Sequence, residues 1–259
     1  MIYNEACLEG MKKIADGSVD LTVTSPPYDN LRTYNGYCSA FNFEPTAQQL
    51  WRVTKLGGVV VWIVNDATIN GSETGTSFRQ ALHFKDLGFN LHDTMIYQKA
   101  GMSYPEANRY YHNFEYMFVL SKGKPKTVNL LCDRENARRG QVSTHTERKP
   151  NGNLVRFKAK VKDLGVRFNV WRYHTGFEGD KMRYKHPATF PLKLAEDHIK
   201  TWSNEGDMLL DPFMGSGSTG VACMNLNRNF IGFEIHPEYF KTAQRRIEEA
   251  LAKKRQELF

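Results

Sequence analysis

The sequence predicts an α/β protein built on a doubly wound, mostly parallel sheet. Short stretches of β-branched and aliphatic residues alternate with stretches of helical periodicity along most of the 259 residues, and this alternation is typical of such sheets. Residues 59–64 form a continuous apolar run, as expected for a strand buried on both faces. Residues 208–220 indicate a strand, a glycine-rich turn and the start of a helix.

Proline and glycine bound the elements of the first half of the chain. The alternating strand 19–24 ends at the two prolines 26–27, because proline has no N–H with which to extend a ladder. A helix begins near Pro45, which suits a first helical turn, and ends at the glycines 57–58. The other elements predicted here are helices over 8–14 and 78–87 and strands over 59–64, 90–98 and 115–120.

The alternation resumes after a basic segment in the middle of the chain. The elements predicted there are helices over 191–202, 217–225 and 238–254 and strands over 208–210 and 230–234. The last helix is long and amphipathic. We therefore expect three segments, 1–120, 121–175 and 176–259, of which the middle one is an insertion or small subdomain that is partly loop and partly β.

The composition, 41% hydrophobic and 24% charged, is that of a globular protein and excludes a disordered chain. No apolar run is long enough to span a bilayer, and the N-terminus lacks the regions of a signal peptide. We therefore expect a cytoplasmic protein without a membrane partner. The four cysteines lie far apart without a C-x-x-C pair, so we expect neither disulfides nor a metal site.

The positive charge is concentrated in one quarter of the sequence. Residues 121–185 contain 17 Lys and Arg against 6 Asp and Glu, a net charge of +11, whereas the rest of the chain has a net charge of −4. A solvated surface could produce such a segment, but this asymmetry favours a polyanionic partner, nucleic acid above all.

A glycine-rich turn near the C-terminus predicts a nucleoside cofactor. Gly215, Gly217 and Gly220 satisfy G-x-G-x-x-G between a strand and a helix, and Glu234 follows Gly215 by 19 residues at the end of the next strand. Glycines let the backbone approach a ligand, and the acidic side chain can hold ribose hydroxyls. Only 25 residues follow Glu234, so the remaining strands come from upstream and the sheet is assembled in permuted order.

A second motif follows the predicted strand 19–24. Ser25, Pro26, Pro27 and Tyr28 lie at the carboxyl end of that strand, where open α/β sheets bind their ligands. The motif holds a neutral hydroxyl, a rigid backbone carbonyl and an aromatic ring within four residues. These groups suit a flat heterocycle with an exocyclic amino group, whose N–H bonds the oxygens accept while the ring stacks.

Together these motifs resemble the amino-directed DNA methyltransferases that use S-adenosylmethionine, in the permuted arrangement called the β group. Residues 19–28 look like the catalytic strand and its (D/N/S)-P-P-(Y/F/W) motif, and residues 211–220 look like the D-P-F-x-G-S-G-T cofactor loop. Residues 232–234 resemble the ribose-binding strand end, and residues 185–191 resemble the segment along the methionine moiety. The order of the motifs is the one that defines the β group.

The resemblance implies a circularly permuted, Rossmann-like class I methyltransferase fold. Segment 1–120 is then the catalytic half, 121–175 the target-recognition region and 176–259 the cofactor-binding half. The implied catalytic residues are Ser25, Pro26, Pro27 and Tyr28. The implied S-adenosylmethionine-binding residues are Asp211, Pro212, Phe213, Gly215, Ser216, Gly217, Thr219, Glu234, Lys185, His186 and Glu5, the last in place of the Gly-Asp often found there.

The resemblance also implies double-stranded DNA as the partner, with the reacting base flipped out of the stack. Basic side chains in the recognition region would mostly contact phosphate. The candidates are Lys122, Lys124, Lys126, Arg134, Arg138 and Arg139, of which the three arginines could also read guanine edges. A cognate restriction endonuclease, and either a monomer or a homodimer, are compatible with this interpretation.

The expected chemistry is transfer of a methyl group to an amino nitrogen. If Ser25 Oγ and the Pro26 carbonyl accept both amino hydrogens, the nitrogen lone pair is freed for attack on the sulfonium methyl. Ser25 favours cytosine N4 as the target, and adenine N6 is the alternative. A nicotinamide-dependent oxidoreductase would explain the glycine loop alone, and a catalytically silent DNA-binding protein would explain the charge alone.

Overall fold

The computed structural model describes residues 1–27, 41–101, 108–174 and 191–257. Its strands are β1 (Ile2–Tyr3), β2 (Val19–Thr24), β3 (Thr54–Val64), β4 (Thr68–Ile69), β5 (Ser72–Glu73), β6 (Asn90–Lys99), β7 (Phe114–Ser121), β8 (Arg134–Glu135), β9 (Val142–Arg148), β10 (Leu154–Lys160), β11 (Leu164–Gly165), β12 (Val170–Tyr173), β13 (Met208–Asp211) and β14 (Asn229–Phe233). Its helices are α1 (Cys7–Lys12), α2 (Phe43–Val53), α3 (Thr76–Asp86), α4 (Leu192–Trp202), α5 (Ser218–Asn225) and α6 (Pro237–Glu257).

Eight strands form the main sheet in the order β1-β14-β13-β2-β3-β7-β6-β12. Neighbouring strands are parallel except where β7 pairs with β3 and with β6. The mostly parallel α/β sheet predicted from the sequence is therefore confirmed. Because Leu209 on β13 pairs with Leu21 on β2, strands from opposite ends of the chain are neighbours and their carboxyl ends meet at one edge of the sheet.

The helices form two groups that pack on the sheet. Helices α1, α2 and α3 contact one another in sequence, as do α4, α5 and α6. In the core beneath the first group, the ring of Trp62 on β3 lies 5.2 Å from that of Phe84, and its Nε1 donates to Gln80 Oε1 at 2.9 Å. All six side chains of the predicted apolar strand 59–64 are buried, as a strand covered on both faces requires.

The glycines at 57–58 do not end helix α2 as the sequence predicted. The helix ends at Val53 and β3 begins at once, so both glycines lie within the strand. Gly57 has φ of +83°, and a Cβ on Gly58 would lie 3.0 Å from the Asp20 carbonyl oxygen on β2. A helix end and a close strand approach both require glycine, so the residue type alone does not distinguish them.

Strands β1 and β12 are absent from the elements predicted from the sequence. Strand β12 lies in the segment predicted to be a basic insertion, yet it pairs in parallel with β6 at the edge of the main sheet. Its Trp171 and Tyr173 side chains are buried while the residues between and before them are exposed. Four residues are too few for the alternation to stand out beside the surrounding charges.

The chain divides into two compact units. One comprises Met1–Asn129 and Val170–Phe259, and the other comprises Leu130–Asn169. The smaller unit contains the antiparallel hairpin β9–β10 and the short antiparallel pair β8–β11. It is shorter than the predicted segment 121–175, because residues 121–129 and 170–174 belong to the larger unit.

Among the described residues, no helix is long and apolar enough to cross a membrane. Within the same ranges, no group of three or more His, Cys, Asp or Glu side chains is placed to hold a metal ion. Cys7, Cys132 and Cys223 carry free thiols, and Cys38 lies outside the described residues.

Candidate active site

The predicted catalytic turn directly follows β2 at the carboxyl edge of the sheet. Thr24, the last residue of the strand, is fully buried, Pro26 is buried, and Ser25 and Pro27 are partly exposed. Tyr28 lies outside the described residues. The hydroxyl and carbonyl that the sequence singled out therefore follow a buried, sheet-bound residue.

The glycine loop joins β13 to α5 beside this turn. Gly215 and Gly217 have φ of +51° and +82°, the left-handed region that favours glycine. A Cβ on Gly217 would lie 2.9 Å from Cβ of Ala243 on α6, and a Cβ on Gly220 would lie 2.5 Å from the Ile247 side chain. Two glycines of the motif thus permit close packing of the loop and α5 against α6.

Asp211 joins the catalytic turn to the glycine loop. Its Oδ1 accepts hydrogen bonds from Thr24 Oγ1 at 2.7 Å and from the Phe213 amide at 3.1 Å, and its Oδ2 accepts one from Thr219 Oγ1 at 2.7 Å. Thr219 Oγ1 also lies 3.4 Å from the Val23 carbonyl oxygen. One carboxylate therefore holds the end of β2, the loop and the first turn of α5 in fixed relation.

The Asp211 carboxylate is 1% exposed. Burial raises its pKa from 3.8 to about 6, although the three hydrogen bonds from Thr24, Thr219 and Phe213 act in the opposite direction. A buried carboxyl with this many donors is held in place by its neighbours. The resemblance implied that Asp211 binds the cofactor, whereas the hydrogen bonds seen in the structure connect it to the protein itself.

Glu234, directly after β14, contacts the loop from the other side. Its Oε2 accepts from the Gly215 amide at 2.9 Å and its Oε1 accepts from the His236 amide at 2.8 Å. Burial raises the pKa of this carboxyl, which remains partly exposed. An ionised carboxylate has about four acceptor positions, so each oxygen can still accept a hydrogen bond from a ligand hydroxyl.

The other predicted loop residues pack or make hydrogen bonds within the protein. Pro212 is buried, and the Phe213 ring makes an edge contact with the Phe41 ring at 5.2 Å. The Ser216 hydroxyl and carbonyl oxygens accept hydrogen bonds from the Arg246 guanidinium. Lys185 and His186 lie outside the described residues.

Glu5 follows β1, at the same edge of the sheet. One carboxylate oxygen, Oε2, pairs with Lys13 Nζ, and Oε1 is buried without a partner among the described residues. Cys7, which was not among the predicted site residues, is a half-buried thiol whose pKa is raised to about 11 by burial and, to a smaller extent, by the Glu234 charge.

The predicted DNA-binding cations fall into two groups. The engaged group includes Lys122, whose Nζ donates to two backbone carbonyls and lies 4.5 Å from the Trp51 ring centroid. Arg134 also belongs to it, because its Nε donates to the Val166 carbonyl at 3.0 Å. Arg139 pairs with Glu135 at 3.5 Å. The side chains of Lys124, Lys126 and Arg138 are exposed, and so is that of Arg139 despite its pair with Glu135.

The deciding comparison is with known protein families. The model of the N6/N4 methyltransferase family, described as DNA methylase, matches residues 19–245. This chain belongs to the N6/N4 DNA methylase family. It is thus an amino-directed DNA methyltransferase, the methyl donor of the family is S-adenosylmethionine, and the oxidoreductase alternative is excluded.

Individual proteins are similar to this chain over nearly its whole length. The orphan methyltransferase M.BamHII of Bacillus amyloliquefaciens is 58% identical over 91% of this chain and 91% of its own length. The solved PvuII DNA methyltransferase (cytosine-N4-specific) superposes with a TM-score of 0.71 at 19% identity, covering 97% of this chain and 91% of that chain. The M1.HpyAVI–SAM complex superposes with a TM-score of 0.63 at 24% identity, covering 95% and 98%. At these identities the two structures show a shared fold.

Proposed function

We propose that this methyltransferase acts on the N4 amino group of cytosine in double-stranded DNA. The observation that carries the proposal is Ser25, a neutral hydroxyl at the first position of the turn that follows β2. The amino group of cytosine needs an acceptor for its N–H bonds, and a hydroxyl suffices as an acceptor. Adenine N6 is the alternative outcome of the test below.

The catalytic turn would activate the amino nitrogen. We infer that Ser25 Oγ and the Pro26 carbonyl oxygen accept the two amino hydrogens, which favours a pyramidal nitrogen and frees its lone pair. Burial of Pro26 and Thr24 supports a rigid position for both acceptors. Tyr28 would stack on the base after the base leaves the helix.

The loop between β13 and α5 would hold the methyl donor. When bound, S-adenosylmethionine supplies an electrophilic methyl group. Glu234 is suited to accept ribose hydroxyls, because each of its oxygens accepts one backbone N–H at 2.8–2.9 Å and retains further acceptor capacity. We propose Gly215 and Ser216 as backbone contacts, Phe213, Thr219 and Glu5 as neighbours, and Lys185 and His186 as contacts of the methionine moiety.

Asp211 would act as a positioning residue rather than a ligand of the donor. The same carboxylate accepts from Thr24, next to the turn, and from Thr219 and Phe213 in the loop region. In-line methyl transfer requires the methyl donor and the amino nitrogen to be positioned to a fraction of an ångström. A buried carboxylate that binds both motifs fixes the position of one motif relative to the other.

Double-stranded DNA is the proposed partner, and Lys124, Lys126 and Arg138 are the predicted cations whose exposure leaves them able to contact phosphate. Lys122 and Arg134 donate to backbone carbonyls and Arg139 pairs with Glu135, so we expect these three predicted cations to contribute less to DNA binding. A cognate restriction endonuclease and the choice between monomer and homodimer stay predictions.

The test is the chemical identity of the product. Purified protein is incubated with genomic DNA and S-adenosylmethionine carrying a labelled methyl group, and the DNA is digested to nucleosides for mass spectrometry. We expect labelled N4-methylcytosine, and none with the Ser25→Ala protein prepared in parallel. Detection of labelled N6-methyladenine would show that the target is adenine and not cytosine. The absence of any labelled nucleoside would contradict the proposed activity.

A further inference from the structure

The hairpin β9–β10 in the unit Leu130–Asn169 is a regular two-stranded ribbon. Seven cross-strand pairs join the strands, from Val142 opposite Lys160 to Arg148 opposite Leu154. Because directly opposite residues share a face and successive residues alternate between faces, the register defines the composition of each face.

The two faces differ in charge. The first, called the basic face here, carries four cations, two threonine hydroxyls and no carboxylate; it consists of Val142, Thr144, Thr146, Arg148, Leu154, Arg156, Lys158 and Lys160. The opposite face has no Lys or Arg and carries one carboxylate; it consists of Ser143, His145, Glu147, Val155, Phe157 and Ala159.

The basic face is available to a partner. All eight of its residues are exposed. Its cations, Arg148, Arg156, Lys158 and Lys160, make no ion pair with any carboxylate of the described residues. Other arginines of the same unit differ: Arg167 pairs with Asp133, and Arg134 packs over the Phe168 ring at 4.6 Å. The positive charge of the ribbon is therefore left uncompensated.

The opposite face holds the ribbon together. His145 and Phe157 are a directly opposite pair, and their rings stack with centroids 5.6 Å apart and an interplanar angle of 25°. Aromatic cross-strand pairs of this kind stabilise an antiparallel ribbon. This pair favours the observed register of the ribbon, on a face whose side chains are themselves mostly exposed.

We propose that the ribbon β9–β10 enters the major groove of the substrate DNA and reads its sequence through the basic face. The proposal rests on the proposed function. A major groove about 12 Å wide admits a two-stranded ribbon, whose strands lie about 4.8 Å apart. The pattern of unpaired cations on one face only is complementary to phosphates that line both sides of that groove.

The centre of the basic face supplies groups that can recognise bases. Arg156 lies opposite Thr146, and Lys158 lies opposite Thr144. An arginine fork can bind guanine O6 and N7 together, and threonine offers both a hydroxyl and a methyl group to base edges. Arg148 and Lys160, at the two ends of this face, are placed to contact phosphate.

The first experiment measures the salt dependence of DNA binding. A variant with Arg148, Arg156, Lys158 and Lys160 changed to Gln is compared with a control in which Lys12, Lys85, Lys241 and Arg255, exposed cations on helices α1, α3 and α6, are changed to Gln. Both lose the same charge. Each lost phosphate contact lowers the slope of log K against log salt by about 0.9. We therefore expect the ribbon variant to lose about 1.8 from Arg148 and Lys160, rising to about 3.6 only if all four cations contact phosphate, and the control to keep a near-parental slope.

The second experiment measures selectivity with conservative variants. Sequencing of methylated positions in treated genomic DNA first identifies the target site. Arg156→Lys keeps the charge but loses the fork, and Thr144→Val with Thr146→Val keeps the shape and β propensity but loses the hydroxyls. We expect unchanged salt slopes and a loss of about tenfold in the preference for the target over single-base variants of it.

The outcomes separate the ribbon from the enzymatic proposal. If the parent protein methylates DNA and the ribbon and control variants have equal slopes, the ribbon does not lie in the DNA interface and the inference is wrong while the activity stands. The inference would also be wrong if the four-fold Gln variant had a lowered slope while both conservative variants kept full selectivity. The ribbon would then contact only the DNA backbone. A parent protein that methylates no DNA would contradict the proposed function instead.

Discussion

Two regions of this protein hold their polar groups in opposite ways. At the junction of the catalytic turn and the glycine loop, the buried Asp211 carboxylate accepts hydrogen bonds from three donors. In the hairpin β9–β10, four cations are exposed and without ion pairs among the described residues. The first region has its hydrogen bonds within the protein, and the second keeps its cations in solvent.

The difference follows from what each region has to do. Methyl transfer requires fixed distances, and buried hydrogen bonds to a charged group supply them because breaking one costs about 1.5–3 kcal/mol. When a protein binds DNA, its Lys and Arg side chains replace the counterions condensed on the phosphates. A side chain that is already paired with a carboxylate contributes less to binding in this way. We therefore expect substitutions at the junction to change stability and turnover, and substitutions on the ribbon to change DNA binding and selectivity.

The largest expected effect concerns the charge of Asp211. Its pKa is raised from 3.8 to about 6 by burial, so between these values the unfolded chain releases a proton that the folded protein retains. Folding stability is therefore lost as the pH rises through this window, by about 3 kcal/mol in total. Urea unfolding between pH 4 and 7.5 should show this loss relative to Asp211→Asn.

Asp211→Asn is a suitable reference because its amide can preserve the network. The amide oxygen can accept from Thr24 and Phe213, while the NH2 group donates to Thr219, whose hydroxyl then turns to the Val23 carbonyl 3.4 Å away. Parallel stability curves for the two proteins across this pH range would show that Asp211 is not the titrating group.

Removal of the catalytic hydroxyl should have the next largest effect. We expect Ser25→Ala to lower turnover about 100-fold or more, since a hydrogen bond formed in the transition state is lost. Affinity for S-adenosylmethionine and DNA should stay near the parental values. The matched control is Ser18→Ala, at the opposite end of β2, whose hydroxyl donates to the Ala15 carbonyl at 2.6 Å. Equal turnover of the two variants would remove Ser25 from the mechanism.

The two regions also differ in what the sequence predicts about them. The strand 19–24, the glycine motif and Glu234 are local patterns, and they predicted the elements that meet at the carboxyl edge. The pairing of Thr24 with Asp211 spans 187 residues, and no local pattern shows which threonine a distant carboxylate will contact. The feature of the sequence that could have pointed to Thr24 is its position directly before the predicted catalytic residue Ser25.

In the segment 121–175, the positive charge was visible in the sequence but its spatial arrangement was not. Lys122 and Arg134 belong to clusters of cations that stand out in the sequence, and in the structure both donate to backbone carbonyls. The ribbon cations at Arg156, Lys158 and Lys160 alternate with apolar residues. Alternation along β10 places these three on one face. Which residues of β9 join them depends on the register of β9 against β10, and register is set by pairing rather than by composition.

Glu234 tests whether the loop holds the donor. Glu234→Ala should weaken binding of S-adenosylmethionine by about 1.5–3 kcal/mol, because a hydrogen bond to a charged acceptor is lost together with the support of the Gly215 amide. Calorimetry measures this directly. Glu238→Ala, in which an exposed carboxylate paired with Lys241 is removed, should bind as tightly as the parent. If both variants bind equally well, Glu234 is not part of the cofactor site.

The smallest effect is a difference between two glycines with nearly the same backbone conformation. Gly217 at the junction and Gly152 at the tip of the ribbon have φ of +82° and +85°. A Cβ on Gly217 would lie 2.9 Å from Cβ of Ala243, whereas a Cβ on Gly152 would have nothing within 4 Å. Alanine at either position meets the left-handed penalty of about 1–2 kcal/mol, and at Gly217 overpacking adds about 1–3 kcal/mol.

Native-state hydrogen exchange separates these two contributions, because it reports the local free energy of opening in each region. In Gly217→Ala, the amides of α5 should lose protection by the sum of both terms, and in Gly152→Ala the amides of β9 and β10 should lose only the first. Equal losses would mean that backbone conformation alone requires glycine in the loop. A larger loss at Gly217 would show that the glycine motif of this methyltransferase is also a packing motif, which brings α6 against the loop that we propose holds the cofactor.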